Sequence, residues 1–408
     1  MVLAGVVGSD DDPWRAWREV LESDGRARVQ REVLESGLRG RGGAGFPAAV
    51  KWKSAAEMPA RGPRHLICNG DEGDPGSFVD RLLMESDPQR LLAGMALAAF
   101  ACGATTGHVY VRSEYPRARD AVRAAVLEAR AAGELGERVH GSAVSFDVEV
   151  FEGAGSYVAG EETALIHSIE GLRGEVQARP PFPTERGLLH EPTVVNNVET
   201  LCAVPWIVAR GGPAYASLGV GDSRGTKVIC LNERFNRPGA YEVELGISVA
   251  SIIDDLGGGL RDGAELAAIQ VGGPLGGFLA PDQLQTPLSF EALRGAGVDL
   301  GHGSLIALDR RIDRAALTHH FWRFAASESC GTCVPCRLGT RRGLELARAN
   351  PGASALDELG DAMAAMERAS LCAFGRGVPP VVRSIERAYG GGPGADRVGP
   401  STPHAETA

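Results

Sequence analysis

Three cysteines at two-residue intervals, Cys330, Cys333 and Cys336 in "ESCGTCVPCRLGTRRGLELA", and a fourth, Cys372 in "SLCAFGRG", constrain this chain more than any other feature. The triplet stands where a loop enters a helix and the single thiol returns one helix later, so three sulfurs wrap one corner and the fourth caps it. Four thiolates so disposed are the ligand set of a cubane 4Fe-4S cluster. Zinc more usually takes paired Cys-x2-Cys knuckles, often with histidine, and no histidine lies close to these four in sequence; zinc and unligated thiols remain as alternatives. The lack of oxygen ligands in the set points away from magnesium or calcium. Cys68, Cys102, Cys202 and Cys230 lie singly in apolar surroundings and read as buried free thiols.

A chain of 408 residues has room for two or three domains. Its 44% hydrophobic and 23% charged residues are globular values, while 55 glycines are about twice the usual share of roughly 7% and point to backbone-lined turns. A net charge of −10 gives no electrostatic footprint for nucleic acid or an anionic membrane. The uncharged stretch from Leu91 to Val111 is broken by "TTGH", short of the about 20 apolar residues a membrane span needs, and reads as a packed helix leading into a strand. The start, "MVLAGVVGSDDDPW", has no basic region and no cleavage site, so the expected location is cytoplasmic.

Residues 14–36 read as a short amphipathic helix. From 37 to about 225, apolar strands ("RHLICNG", "HVYVRS", 144–151) alternate with Ala-rich helices such as 117–132, the pattern of an α/β domain. A small α+β module follows to about 305, two strands joined through Pro-Gly and then a helix. After Asp313 the periodicity is helical, near 313–327, 337–349, 354–369 and 378–389, and the tail 391–408, rich in Gly, Pro, Ser and Thr, is expected to be disordered.

Two glycine loops invite nucleotide readings that their context removes. Gly40-x-Gly42-x-x-Gly45 has Rossmann spacing, but it follows a helical rather than a strand-like segment and lacks the ribose-binding acid about 20 residues on. Clustered glycines with Arg39, Arg41 and Lys51 nearby still suit an anion, and a bare glycine turn is the alternative. Gly155-x4-Gly160 has P-loop spacing, yet Glu161 stands where the phosphate-binding lysine would be and Glu162 follows it. Adjacent carboxylates repel a triphosphate and suit N–H or O–H donors such as an isoalloxazine, a ribose or a carboxamide; a solvated first helical turn is the alternative. "NGDEGDPGSFVDR" packs Asp71, Glu72 and Asp74 into a turn without calcium-loop spacing, and Asn196 with Asn197 in "PTVVNNVETL" need partners if buried.

Together GRGGAGFP, CNGDEGDPGSF, AGEETAL, RPPFP, PTVVNNVETL and ESCGTCVPCR with Cys372 occur in one order. On these motifs the chain resembles, over about residues 33–390, the NADH-binding flavoprotein subunit of respiratory complex I and the related diaphorase subunits of NAD-linked formate dehydrogenases and NAD-reducing hydrogenases. The resemblance implies an N-terminal helical segment (1–36), an α/β FMN/NADH domain (37–225), a β-grasp domain of the SLBB kind (226–305) and a helical 4Fe-4S bundle (306–390). It implies FMN contacts from Gly40, Arg41, Gly42, Lys51, Asn69, Asp71, Glu72, Gly160, Glu161, Glu162, Asn196 and Asn197. NADH contacts would come from Phe46, Asp74, Glu162, Arg179 and Phe182, and cluster ligation from Cys330, Cys333, Cys336 and Cys372. No side chain need be a general base, because hydride transfer occurs at the flavin.

Gly70, Gly73 and Asp74 make the loop more like the formate dehydrogenase and hydrogenase diaphorases than complex I, and Ser54 and Arg179 also depart from complex I usage. Only about 30 residues precede the glycine loop, so the thioredoxin-like 2Fe-2S unit of many diaphorases is expected as a separate subunit, beside a further iron–sulfur or catalytic subunit. Attachment to the inner face of a membrane would come only through such partners. The competing expectations are a non-catalytic iron–sulfur scaffold and a zinc-stabilised binding module.

Overall fold

A computed structural model describes residues 3, 12–22, 25–348 and 353–390. The tail 391–408 lies outside the described residues. Two helices, α1 (Arg15–Leu21) and α2 (Gly25–Ser36), stand where one was expected, and they bury Trp17, Val20, Val29 and Val33 against the first core.

The α/β part then runs α3 (Ala48–Glu57), β1 (His65–Gly70), α4 (Val79–Ser86), α5 (Pro88–Cys102), β2 (Thr106–Arg112), α6 (Pro116–Ala131), β3 (Asp147–Gly153), α7 (Glu162–Ile169), β4 (Thr193–Asn197), α8 (Val198–Arg210) and α9 (Gly212–Ala216). Its four strands form a wholly parallel sheet in the order β3-β2-β1-β4. Side chains alternate between two cores: Leu66, Cys68, Val109, Val111 and Val194 face the layer containing α5 and α8, while Ile67, Tyr110 and Val195 face Leu165 and Ile166 of α7. β3 begins three residues later than expected because Phe146 is paired in an isolated bridge with Gly136.

Local chemistry sets the helix ends. Asp87 caps α5 by accepting from Arg90 N at 3.0 Å, and Gly103 ends it at φ +78. A Cβ on Gly94 would fall 2.0 Å from Leu201 O, so that glycine lets α5 and α8 approach at backbone distance.

A small hairpin, β5 (Gly219–Val220) and β6 (Ser223–Arg224), leads to a second sheet of β7 (Thr226–Leu231), β8 (Gly239–Glu244), β9 (Leu266–Val271), β10 (Phe278–Leu279) and β11 (Ser304–Asp309). The order is β10-β9-β11-β7-β8, with β7–β8 and β9–β11 antiparallel and β11 parallel to β7. α10 (Val249–Ser251), continued by a wider turn over Ile252–Leu256, and α11 (Phe290–Gly295) carry part of its core.

The C-terminal region is helical: α12 (Arg314–Glu328), α13 (Val334–Arg348), α14 (Ala353–Ala369) and α15 (Ala373–Gly390). α15 starts five residues before the expected 378 and carries Pro379 and Pro380 in its interior. The sequence pattern treats such prolines as breakers, but the early turn buries Phe374 and Val378 in the bundle, and that packing outweighs the lost backbone bonds.

Two buried ionic joints tie the second sheet to the first domain. Lys227 of β7 is fully buried and donates to the Glu199 carboxylate of α8, whose other oxygen accepts from Val228 N at 2.8 Å. The other joint is at His302, described below. Among the described residues no helix is long and apolar enough to cross a membrane.

Candidate functional site

In the parallel sheet, the chain steps outward from β1 through β2 to β3 and then returns to the other side of β1 as β4. The crevice at the C-terminal ends of β1 and β4 is therefore the topological switch point, where open α/β sheets take ligands. Asn69 lies at the end of β1, Asn196 and Asn197 at the end of β4, and the loop reaching Gly160 follows β3. The glycine loop folds back on itself, Arg39 bridging Pro47 and Gly40 N–H donating to Phe46 O at 2.9 Å. A Cβ on Gly42 would come within 2.9 Å of Asn197 Cβ, and one on Gly45 (φ +63) within 2.6 Å of the Phe290 ring, so these two glycines let the loop lie against β4 and the second module together.

The crevice side chains are tied to one another. Asn69 Nδ2 donates to Gly160 O at 2.8 Å, joining the loops after β1 and β3. Lys51 Nζ, on α3, lies 3.0 Å from Glu162 Oε2 and 3.1 Å from Val195 O. Arg179 reaches the same Glu162 at 2.5 Å and Glu161 at 3.1 Å. Glu161 also caps α7, accepting from Thr163 N and Ala164 N, and neither it nor Glu162, which is held between two cations, is a freely solvated first-turn acid. Asn196 Oδ1 accepts from Trp52 Nε1 at 2.8 Å, and Asn197 caps α8.

Three predicted residues are held by the protein itself. The Arg41 guanidinium is buried, donating to Tyr215 OH at 2.8 Å and Arg224 O at 2.6 Å, with Nη1 left unpartnered. Glu72 accepts from Asp80 N and Arg81 N at the start of α4 and from Ser77 Oγ. Asp74 accepts from Tyr157 OH at 2.7 Å, and burial pushes its carboxyl above the usual range. Asp71 differs: its Oδ2 is buried without a partner, and burial pushes its carboxyl up to about 7, with Arg112 pulling it back only in part. Phe46 and Phe182 are each 50% exposed, leaving their ring faces available.

The four cysteines meet at the start of two helices. Cys330 and Cys333 lie in the loop before α13, Cys336 in its first turn, and Cys372 immediately before α15. Burial pushes the Cys336 thiol up to about 12, and its electrostatic neighbours are the other three cysteines; Cys372, also raised by burial, has Glu161 and Cys330 among its neighbours. Among the described residues the one His/Cys/Asp/Glu group whose ligand atoms all lie within 4.8 Å is Glu72, Asp80 and His302.

The segment Tyr157–Leu165 faces both places. Gly160 touches the loop after β1, while the Tyr157 ring packs edge-on against Phe324 at 5.2 Å and near Phe374 at 5.8 Å, and Tyr157 N donates to Glu328 in α12. Arg173 donates to Cys330 O at 3.3 Å. Sequence reasoning missed Tyr157 and also His302, Ser77 and Asp80, which form a buried polar knot under the crevice. The available signal for His302 was its two flanking glycines, both at positive φ.

Residues 33–206 match the family described as the Nuo51 FMN-binding domain, and residues 316–391 match the NADH-ubiquinone oxidoreductase-F iron-sulfur binding region. The NADP-reducing hydrogenase subunit HndC of Solidesulfovibrio fructosivorans is 41% identical over 365 residues, 88% of this chain and 74% of that protein. An NADH-quinone oxidoreductase subunit of Escherichia coli (strain K12) is 40% identical over 332 residues, 81% of this chain and 75% of that protein. The chain belongs to this family. A solved structure, the NAD+-reducing NiFe hydrogenase in the H2-reduced state, matches at TM-score 0.83 and 38% identity, covering 93% of this chain and 64% of that one. The chain thus spans slightly less than two thirds of the hydrogenase chain's length. The Nuo51-type region contains every crevice residue above from the glycine loop to Asn197, and the oxidoreductase-F region contains all four cysteines. The donor sets fit both groups: an unpartnered buried carboxylate oxygen on Asp71 for a flavin N–H or O–H, and four thiols for iron.

Proposed function

We propose that this chain is the electron-input subunit of a multi-subunit complex, moving hydride between NADH and FMN and electrons singly through a 4Fe-4S cluster to iron–sulfur partners. Bound FMN supplies the conversion between a two-electron hydride and one-electron transfers. The observation that carries the reading is the Tyr157–Leu165 segment, one short stretch of chain in contact with the crevice loops on one side and with Phe374 and Cys372 at the start of α15 on the other.

In this reading Gly40 and Gly42 cradle the flavin with backbone, Lys51, Asn69 and Gly160–Glu162 line its polar edge, and Asp71 accepts from it. Arg41, Glu72, Asn196 and Asn197 act mainly by holding that lining in place. Phe46 and Phe182 stack on the dinucleotide, with Asp74, Glu162 and Arg179 at its polar groups. The protein's contribution is positioning; no side chain acts as a general base. The second sheet is read as an SLBB-like β-grasp, supported by its strand order of a hairpin, a helix and a central parallel pair, with β11 extending the unit to Asp309. The partners are read as a thioredoxin-like 2Fe-2S subunit and a further iron–sulfur or catalytic subunit. Gly70, Gly73 and Asp74 favour a formate dehydrogenase or hydrogenase type over complex I.

The test is anaerobic addition of NADH to the purified chain. Flavin absorbance should bleach; cluster absorbance with no flavin bleaching would support a scaffold instead.

A further inference from the structure

His302 brings a buried charge under the crevice from outside the flavin domain. It sits ahead of β11 between Gly301 (φ +51) and Gly303 (φ +89), and is 5% exposed. Its Nε2 lies 3.0 Å from Asp80 Oδ2, and its Nδ1 lies 2.7 Å from Ser77 Oγ. Ser77 uses its single proton on Glu72 Oε1 at 2.8 Å, so toward His302 it can only accept. With a carboxylate at Nε2 and an accepting hydroxyl at Nδ1, both ring nitrogens are donors, which is the imidazolium. Burial opposes that charge, but the Asp80 carboxylate, with Glu72 behind it, outweighs burial and the ring titrates up at about 9.

Glu72, Asp80 and His302 are close enough to hold a metal ion. Most of their ligand atoms are otherwise engaged: both Glu72 oxygens accept backbone N–H groups, both imidazole nitrogens donate, and Asp80 Oδ2 accepts from His302 and Asn197, which leaves Asp80 Oδ1 as the one buried oxygen of the three without a partner. A proton fills the place of the cation. The Asp80 oxygen that meets His302 also accepts from Asn197 Nδ2 at 2.7 Å, and Asn197 is the residue against which Gly42 lies.

Resting on the flavin reading above, we propose that His302 is a positioning residue for the flavin: a doubly hydrogen-bonded imidazolium from the second module that pins Asp80, and through it the Asn197 amide and the glycine loop. The charges facing it are the carboxylates of Asp80, Glu72 and Asp74 and the Lys227 ammonium, the last already paired with Glu199. A group whose folded pKa is raised is fully effective below its unfolded value, near 6.5, and loses its effect as pH rises through about 9.

The experiment is fluorescence titration of FMN into flavin-stripped full-length protein from about pH 7 to about pH 9.5, for wild type, His302→Gln and the double variant Asp80→Asn/His302→Gln. Wild-type affinity should fall about threefold across that range, and His302→Gln should bind about tenfold more weakly at the lower limit and lose the extra pH dependence. The double variant should regain part of the loss, because no buried carboxylate is left unpaired. The flavin's own ionisation is common to all three and cancels. Wild-type affinity and pH profile in His302→Gln would overturn the proposal. So would about one equivalent of metal in wild type whose chelation reproduces the His302→Gln affinity. Should that variant not fold, Asp80→Asn takes its place: a profile flatter than wild type supports the proposal, and one that falls as wild type does overturns it. Wild type that binds no FMN at any pH refutes the flavin reading itself.

Discussion

The crevice and the cysteine loop, which the proposed function reads as the sites of two redox groups, are built in opposite ways. The crevice joins segments as distant as Arg41 and Thr200, 159 positions apart, through side chains that also cap helices: Glu161 on α7, Glu72 at α4, Asn197 on α8. In the proposed reading the cysteine loop supplies three of the four ligands from residues 330–336; the Cys336 and Cys330 sulfurs contact only their near neighbours Ser329 and Thr332, and the Cys372 sulfur accepts from the first N–H groups of α15. Most crevice residues therefore serve folding and binding together, and a substitution there mixes the two effects. In the cysteine loop the two can be separated.

The largest expected effect comes from Cys372→Ser. Iron and acid-labile sulfide should fall from about four per chain to near zero, and reduction of one-electron acceptors by on the order of a hundredfold, while NADH still bleaches the flavin. Unchanged cluster content would remove Cys372 from the ligand set. Next in size is Lys227→Met, which leaves Glu199 buried and uncompensated at the joint between the two sheets. It should cost about 3–5 kcal/mol in chemical denaturation; a loss below about 1 kcal/mol would mean the joint does not hold the modules together.

Smaller and more local is Glu162→Gln, which removes the charge held between Lys51 and Arg179. We expect kcat/KM for NADH to drop about tenfold to a hundredfold with cluster content intact; a change in cluster content but not in NADH kinetics would put Glu162 on the wrong side of the molecule. The smallest effect, and the one of opposite sign, is Asp71→Asn. A carboxyl raised to about 7 by burial destabilises the folded chain as pH rises from near 4 through 7, so the flavin-free variant should melt a few degrees higher than wild type at about pH 8. The gain should vanish toward about pH 4, and a constant gain at both pH values would show that charge is not the cause.

What could be read from sequence follows the same contrast. A cluster ligand set is written at fixed short spacing, so the triplet at 330–336 announces itself, and the fourth cysteine is separated from it by one further helix, α14, with short connections on either side. The α/β alternation of the first domain and the helical C-terminal region were also legible, because apolar strand runs and helical periodicity are local, whereas the parallel strand order was not. The glycine loops were legible only as departures from better-known spacings, and their place beside Asn197 comes from tertiary packing. Arg41 reads as an anion ligand until Tyr215, from a distant helix, is seen to accept from it. For His302 the two flanking glycines mark only an unusual turn; its partners Ser77 and Asp80 lie over 220 positions away and could not be read from them. The expected helix at 378–389 already contained Pro379 and Pro380; its earlier start at Ala373 comes from the packing of Phe374 and Val378.

If one chain converts a hydride into single electrons, the electrons it takes up can be counted. In an anaerobic titration of the purified chain, two electrons for the flavin and one for the cluster should consume about 1.5 equivalents of NADH, against about 1.0 for Cys372→Ser. Wild type that stops at about 1.0, with its cluster absorbance unchanged, would contradict that conversion.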